Sequence, residues 1–126
     1  MIKKIWQHKN MKESFLAALH GIEVVIEEER NARIIFLIGL IVIIAGIYFN
    51  LSSGEFAILI IVTVGVFVCE VFNTLVENIL DIVNPEYDKK IKILKDISSS
   101  AVLLSSIGAV AIGILIFLPK IFNIFR

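Results

Sequence analysis

Residues 70–81 read Glu-Val-Phe-Asn-Thr-Leu-Val-Glu-Asn-Ile-Leu-Asp and close an apolar run that begins at Phe56. Their polar positions are spaced by three, four and four residues, and these are Glu70, Asn73, Glu77 and Asp81. On an α-helix this spacing places all four on one face. Acidic groups are costly on so apolar a helix, and within a membrane they face the protein interior and mark functional sites. The stretch predicts a membrane helix with a reactive face; the alternative is a polar stripe that only fixes helix packing.

The composition is typical of an integral membrane protein, and the length allows a single domain over residues 1–126. Hydrophobic residues make up 58% of the chain, compared with roughly half in soluble domains. The formal net charge is zero, so the charge balance indicates no nucleic-acid partner. The single cysteine, Cys69, excludes an internal disulfide, and one cysteine with two histidines forms no zinc pattern.

Apolar periodicity divides the chain into four helical segments. Residues 1–33 combine an apolar stripe at helical spacing with charged residues largely off that stripe, which predicts an amphipathic helix on the membrane surface. Apolar runs at 34–51, 56–80 and 97–118 predict three transmembrane helices in a bundle. The first run is slightly shorter than the roughly 20 residues of a usual span.

The breaks between these segments contain residues that disfavour a helix. A short turn is expected at 50–55, Pro85 is expected to separate the second and third spans, and Pro119 to end the third. Glu55 and Lys120, beside these breaks, are expected to be exposed to solvent. Small residues recur at every fourth position of the third span and would let another helix approach closely; they are Ala101, Ser105, Ala109 and Gly113.

The distribution of lysine and arginine predicts the orientation in the membrane. Residues 1–33 carry six of them, the 50–55 turn none, the 81–96 loop four and the C-terminal tail two. By the positive-inside rule, the N-terminus and the 81–96 loop lie in the cytoplasm, whereas the 50–55 turn and the C-terminus lie outside. Three spans, an odd number, fit this arrangement.

Depth along the helices is expected to bring the charged residues into one layer. The stretch from Phe56 to Cys69 corresponds to about 21 Å of helix, so Glu70 lies about two-thirds of the way across a hydrocarbon core of about 30 Å. Glu77 lies about 10 Å further along, at the cytoplasmic interface. The other charged groups expected in that layer are Glu29, Asp81, Lys95 and Asp96.

These side chains suit phosphoryl transfer to a lipid. Interfacial carboxylates can hold Mg²⁺, which shares its oxygen ligands with substrate phosphates, and a neighbouring lysine can pair with phosphate charge. A carboxylate within the leaflet can take a proton from a lipid hydroxyl. The phosphate donor would be ATP from the cytoplasm, although the chain has no Walker or kinase glycine-rich loop. The alternative is a non-enzymatic ion-translocating or scaffolding oligomer in which Glu70 carries protons.

The spacing Glu-x-x-Asn-(Ser/Thr)-x-x-Glu-x-x-x-Asp from Glu70 to Asp81, followed by Lys95-Asp96 and the small residues 98–102, resembles the prokaryotic diacylglycerol kinase family. Gly21 and the element Glu29-x-Asn31-x-Arg33 are similar to that family at the expected spacing. The resemblance covers roughly residues 14–118, which is nearly the whole chain.

The resemblance implies a small membrane kinase of the bacterial cytoplasmic membrane, with a surface helix and three spanning helices. It also implies a homotrimer with active sites shared between subunits, and transfer of phosphate from MgATP to a lipid hydroxyl. Glu70 is then expected to be the catalytic base, and Glu29 and Glu77 the metal ligands. Asn73, Lys95 and Asp96 match further active-site positions, with Lys95 near the nucleotide phosphates. Asp81 is a candidate for the nucleotide site, its alternative being a solvated helix end.

Two departures from the family pattern concern the acceptor and the packing. Ile35 takes the place of a histidine that often follows the Glu-x-Asn-x-Arg element, and serines 98–100 replace the usual alanines. The Glu29-x-Asn31-x-Arg33 form resembles the branch typical of Gram-positive bacteria, which favours undecaprenol over diacylglycerol as the acceptor. Lys9 and Lys12 are the candidates for the family's N-terminal basic residue.

Overall fold

The structure, a computed structural model, describes residues 10–126 and is helical apart from its turns over that range. The helices are α1 (Met11–Glu28), α2 (Arg30–Tyr48), α3 (Ser53–Val83) and α4 (Lys89–Ile124). The last three are long and apolar enough to cross a membrane. The prediction of an all-α protein with three candidate spans is therefore confirmed. Lys9 and the other residues before position 10 lie outside the described part of the chain.

Helix α1 begins at a capped end and leaves its apolar stripe open. The Asn10 side chain accepts a hydrogen bond of 2.9 Å from the backbone N–H of Glu13, which satisfies one of the free donors of the first turn. Phe15, Leu16 and Leu19 on the stripe are all exposed. The location of this helix on a membrane surface stays a prediction.

Helices α2 and α3 are joined by a tight turn over residues 49–52. Asn50 adopts a φ of 51°, a left-handed conformation that asparagine tolerates better than most residues. Ser52 and Glu55 then form a capping box, in which the Ser52 hydroxyl accepts from the Glu55 N–H at 3.2 Å and the Glu55 carboxylate accepts from the Ser52 N–H at 2.8 Å. The turn reverses the chain, and the capping box begins α3.

Two buried glycines let α2 approach α3 closely. A Cβ atom at Gly39 would lie 2.9 Å from Cγ2 of Thr63, and one at Gly46 would lie 2.9 Å from the Phe56 ring. Both distances are shorter than van der Waals contact, so a larger residue would push the two helices apart. This is the use of small residues that membrane helix packing favours.

Helix α3 is the centre of the fold, because it contacts each of the other helices and packs most extensively against α4. Asp88 caps α4 by accepting hydrogen bonds from the backbone N–H groups of Lys90 and Ile91, at 2.6 and 3.4 Å. Ser105 and Ala109 of the small-residue stripe line the space between α3 and α4.

The observed helices differ in length from the predicted spans. α2 begins at Arg30 and ends at Tyr48, whereas the predicted span was 34–51; α3 and α4 extend beyond 56–80 and 97–118 at both ends. Hydropathy detects only the apolar part of a helix, whereas backbone hydrogen bonds continue into its polar ends. At 1.5 Å per residue α3 is about 46 Å long and α4 about 54 Å, which exceeds a hydrocarbon core of about 30 Å. The polar ends of this helical hairpin therefore project beyond the core.

The prediction that Pro119 ends the third span is wrong, because α4 continues through it to Ile124. Proline removes one backbone hydrogen bond and crowds the carbonyl one turn earlier, which weakens a helix without always ending it. The next residue, Lys120, lies 3.1 Å from a carboxylate oxygen of Glu55 and ties this segment to α3. The expected solvent exposure of these two side chains is also wrong, since they are only 29% and 34% exposed.

Few apolar side chains are buried within the described chain. Four lie in its interior, and they are Ala32, Leu59, Val66 and Ile116. Most of the remaining large apolar side chains face outward, which suits a helix bundle surrounded by lipid or neighbouring helices, since lipid tails are as apolar as leucine.

Candidate active site

Glu29 lies at the break between α1 and α2, in extended backbone with φ −104° and ψ 116°. Its N–H donates to the Val25 carbonyl at 2.9 Å, and its own carbonyl accepts from the Arg33 N–H at 3.2 Å. The Arg33 guanidinium donates to the carbonyls of Ile26 and Glu27, at 3.2 and 2.7 Å. Carbonyls in the last turn of a helix lack helical partners, so these bonds satisfy the end of α1 and fix the break that holds Glu29.

The break also distinguishes Glu29 from the two acidic residues before it. Glu27 and Glu28 are exposed on the last turn of α1, whereas Glu29 is half-buried. Of these three carboxylates, Glu29 is the one that acts electrostatically on Glu70. The structure therefore selects Glu29 from a run of charges that sequence composition treats alike.

Glu70 is buried on the inner face of α3, with only 2% of its surface exposed. Leu59 and Val66 are buried on the same face nearer the start of the helix. Within residues 10–126, the carboxylates of Glu29 and Glu77 lie near enough to interact electrostatically with Glu70. The site therefore collects negative charge around a carboxylate that is removed from solvent, as expected where a cation or proton is bound.

Asn73 connects to this group through Glu77. Its amide Nδ2 donates to Oε1 of Glu77 at 3.3 Å, and the residue is 8% exposed. Because an ionised carboxylate only accepts hydrogen bonds, this contact assigns the orientation of the amide. The amide oxygen of Asn73 is buried and has no hydrogen-bond partner within residues 10–126.

Lys95 reaches from α4 to the acidic face of α3. Its Nζ donates to Oδ1 of Asp81 at 2.5 Å, and the two side chains are 32% and 58% exposed. Asp81 is thus an exposed residue near the end of α3 that nevertheless has a charged partner. The pair places a lysine ammonium group at the same end of α3 as Glu77.

Asp96, also predicted for the site, makes its contacts within its own helix. Its carboxylate accepts from Lys92 Nζ at 2.6 Å, and both side chains are more than half exposed. Lys12 lies in the first turn of α1 and is exposed. Hydrogen bonds therefore join Asn73 with Glu77 and Lys95 with Asp81, whereas Glu29 and Glu77 interact with Glu70 electrostatically.

The carboxylates do not enclose a metal on their own. Within residues 10–126, no three histidine, cysteine or acidic side chains converge closely enough to hold an ion. Mg²⁺ characteristically takes one or two protein carboxylates and completes its shell with water and substrate phosphates. The pair Glu29 and Glu77 fits that incomplete donor set.

Two residues beside the site belong to the elements that resemble the family, but neither is assigned a role in the site from the sequence. Arg33 acts through backbone carbonyls, which no sequence pattern displays. Thr74 is 4% exposed, and its hydroxyl has no partner in the described chain. Its position four residues after Glu70 places it on the same helical face. A hydroxyl on a helix usually bonds its own backbone, so sequence alone offers no reason to expect a free one.

The fold and the site together define a class: small all-helical membrane proteins in which carboxylates and a lysine gather toward one end of the spanning helices. The sequence model of the prokaryotic diacylglycerol kinase family matches residues 16–117, and the chain belongs to that family. It is accordingly a lipid kinase and a multi-pass bacterial membrane protein, which decides against the non-enzymatic oligomer considered above.

Two curated relatives of similar identity to this chain are named for different lipid acceptors. The chain is 33% identical over 124 residues to a diacylglycerol kinase of Synechocystis sp., covering 97% of this chain and 71% of the relative. It is 32% identical over 108 residues to an undecaprenol kinase of Bacillus subtilis, covering 86% of this chain and 88% of the relative. The two identities are nearly equal, so overall similarity does not distinguish the two lipid acceptors.

Proposed function

We propose that this lipid kinase transfers the γ-phosphate of ATP to the hydroxyl of a membrane lipid, with undecaprenol as the preferred acceptor. The observation that carries the proposal is the burial of Glu70 beside Glu29 and Glu77, with Lys95 held at the same end of α3. The acceptor approaches from the membrane and the nucleotide from the cytoplasm, so both meet near the polar end of α3.

Glu70 is the proposed general base. It takes the hydrogen of the acceptor hydroxyl as the acceptor oxygen forms a bond to the γ-phosphorus. The bond between that phosphorus and the β–γ bridging oxygen breaks, ADP leaves, and Glu70 afterwards releases its proton to solvent. Burial of Glu70 within the membrane-spanning part of α3 supports this role, because it places a carboxylate where a lipid hydroxyl can approach.

Glu29 and Glu77 are the proposed ligands of Mg²⁺, with Asn73 holding Glu77 through the 3.3 Å amide contact. Bound there, the ion would neutralise phosphate charge during transfer. Lys95 pairs with the nucleotide phosphates, and Asp81 holds its ammonium group in place between turnovers. Asp96 is assigned to the nucleotide side of the site on its sequence position alone.

The proposal also includes the arrangement in the membrane. The whole chain forms one domain, with α1 on the cytoplasmic surface, the N-terminus in the cytoplasm and the C-terminus outside. The protein works as a homotrimer in which neighbouring subunits complete the active sites. The open apolar stripe of α1 and the outward-facing apolar side chains of α2 to α4 are compatible with both.

The preference for undecaprenol rests on the element Glu29-x-Asn31-x-Arg33, in which Arg33 fixes the helix break. The test offers undecaprenol and diacylglycerol separately, in mixed micelles, to the purified full-length protein with γ-labelled MgATP. Label in undecaprenol at a higher rate supports the proposal. Label mainly in diacylglycerol would overturn the assigned acceptor, and label in neither lipid, with folded protein, would overturn the proposed reaction.

A further inference from the structure

Thr74 carries a buried hydroxyl that the reaction described above does not use. The residue is 4% exposed on the inner face of α3, and its Oγ1 has no hydrogen-bond partner among residues 10–126. A buried polar group without a partner is unfavourable, and it is more so in a membrane segment where water is scarce. A bound molecule that accepts or donates a hydrogen bond at Thr74 would remove this cost.

Several serine hydroxyls on these helices behave differently. Four serine hydroxyls donate to backbone carbonyls three or four residues earlier, with distances of 2.6 to 3.3 Å. They are Ser14, Ser99, Ser100 and Ser105. This bond to its own backbone is the ordinary way in which a helical hydroxyl is satisfied. Thr74 does not make it, so its donor and its lone pairs remain free.

The position of Thr74 relative to Glu70 gives the free hydroxyl a direction. Residues four apart on a helix are neighbours, with Cβ atoms about 5–6 Å apart. One oxygen atom that makes a hydrogen bond of about 2.7 Å to each of two side chains fits that separation. Asn73 lies on the other side of Glu70, since it is offset by about 60° one way and Thr74 by about 40° the other.

The two buried oxygens without partners within residues 10–126, Oδ1 of Asn73 and Oγ1 of Thr74, have different roles, because only the threonine oxygen carries a hydrogen. The acceptor hydroxyl of a lipid has one hydrogen, and in the proposed reaction this goes to Glu70. The free oxygen of Asn73 can only accept, so it cannot hold the acceptor oxygen at the same time. Thr74 can donate, and its hydrogen fits a lone pair of the acceptor oxygen.

We propose that Thr74 is a binding residue for the lipid acceptor: its hydroxyl donates to the acceptor oxygen and turns that oxygen's hydrogen toward Glu70. This inference rests on the proposed function and extends it by naming the group that orients the acceptor. It explains why a threonine hydroxyl is kept free beside a buried carboxylate. The chemical class it recognises is a primary or secondary alcohol at the end of a hydrocarbon chain.

The test compares Thr74→Val, which removes the hydroxyl at nearly constant shape, with Thr74→Ser, which retains it. Thr63→Val is the matched control, because Thr63 lies on the same helix and contacts Gly39 outside the site. Each full-length variant is assayed in mixed micelles by varying undecaprenol at saturating MgATP and then MgATP at saturating undecaprenol. The loss of one hydrogen bond corresponds to about a three- to tenfold change.

Thr74→Val is expected to lower kcat/KM for undecaprenol about three- to tenfold and to leave the KM for MgATP unchanged. Thr74→Ser is expected to restore most of the loss, and Thr63→Val to resemble the wild type. Equal losses toward both substrates would overturn the inference, since they would assign Thr74 to helix packing or to a neighbouring subunit. Full activity in Thr74→Val would overturn it while leaving the proposed function intact. A wild-type protein that phosphorylates neither lipid would overturn both.

Discussion

Lys95 on α4 donates a 2.5 Å hydrogen bond to Asp81 on α3, across the turn that joins the two helices. The pair fixes the ammonium group near the end of α3 that carries Glu77. Both side chains remain partly open to solvent, so the lysine can exchange its carboxylate partner for a phosphate without a buried charge being left unpaired.

Replacing Lys95 by methionine should lower kcat for lipid phosphorylation by about 100- to 1,000-fold, as expected for loss of a positive group that meets developing phosphate charge. Asp81→Asn should change the KM for MgATP by only about two- to fivefold, because partly exposed ion pairs contribute little. Steady-state kinetics in mixed micelles measures both effects. Lys90→Met is the control on the same helix, and a loss there as large as at Lys95 would point to general surface charge instead.

Glu29 and Glu28 provide a matched pair for the metal site. Glu29→Gln should raise the Mg²⁺ concentration needed for half-maximal activity by about 10- to 100-fold, because it removes a proposed ligand at the helix break. Glu28→Gln should leave it unchanged, since Glu28 is exposed on α1. Magnesium titrations of initial rates distinguish the two. Equal responses from both variants would contradict the assignment of Glu29.

Much of the site follows from sequence, but the part that depends on backbone geometry does not. The spacing from Glu70 to Asp81 places these residues on one helical face because an α-helix has a fixed period. The resemblance to the family element predicted Glu29, whereas periodicity alone does not separate it from Glu28. The structure separates the two by a helix break that Arg33 stabilises through backbone carbonyls. Sequence likewise cannot show that the Thr74 hydroxyl lacks a hydrogen-bond partner in the described chain, because that depends on the packed structure.

The fold, like the site, has features that the sequence predicts and features that depend on packing. Hydropathy predicts three spans but not their ends. Helices α3 and α4 continue into polar residues, whereas α2 ends at Tyr48, before the predicted end at 51. Pro119 was expected to stop a helix that continues, and the contact of Lys120 with Glu55 joins residues from different helices. Contacts of this kind become visible only when α3 and α4 are packed together.

The close approach of α2 and α3 can be tested at Gly46. Gly46→Ala should destabilise the protein by about 1–3 kcal/mol, because the new methyl group would lie 2.9 Å from the Phe56 ring, offset partly by the better helix propensity of alanine. Gly108→Ala should be neutral or slightly stabilising, since nothing lies within 4 Å of its added Cβ. Thermal unfolding in detergent measures both, and equal stability of the two variants would contradict the packing described here.

The contact between Glu55 and Lys120 lies far from the reaction, at about 22 Å along α3 from Glu70. Lys120→Gln should therefore increase hydrogen exchange of the backbone amides after Pro119 while leaving kcat for lipid phosphorylation close to that of the wild type. Hydrogen–deuterium exchange and the kinase assay are read on the same preparation. Unchanged exchange in that segment would show that the ion pair does not hold the end of α4.

The central claim is that Glu70 acts as the base for phosphate transfer to a lipid. The most direct measurement is the rate of transfer from labelled MgATP to undecaprenol by Glu70→Gln, together with its KM for MgATP. The account predicts that kcat falls by about 100- to 10,000-fold while the KM for MgATP stays close to that of the wild type. A kcat within a few-fold of the wild type would contradict it.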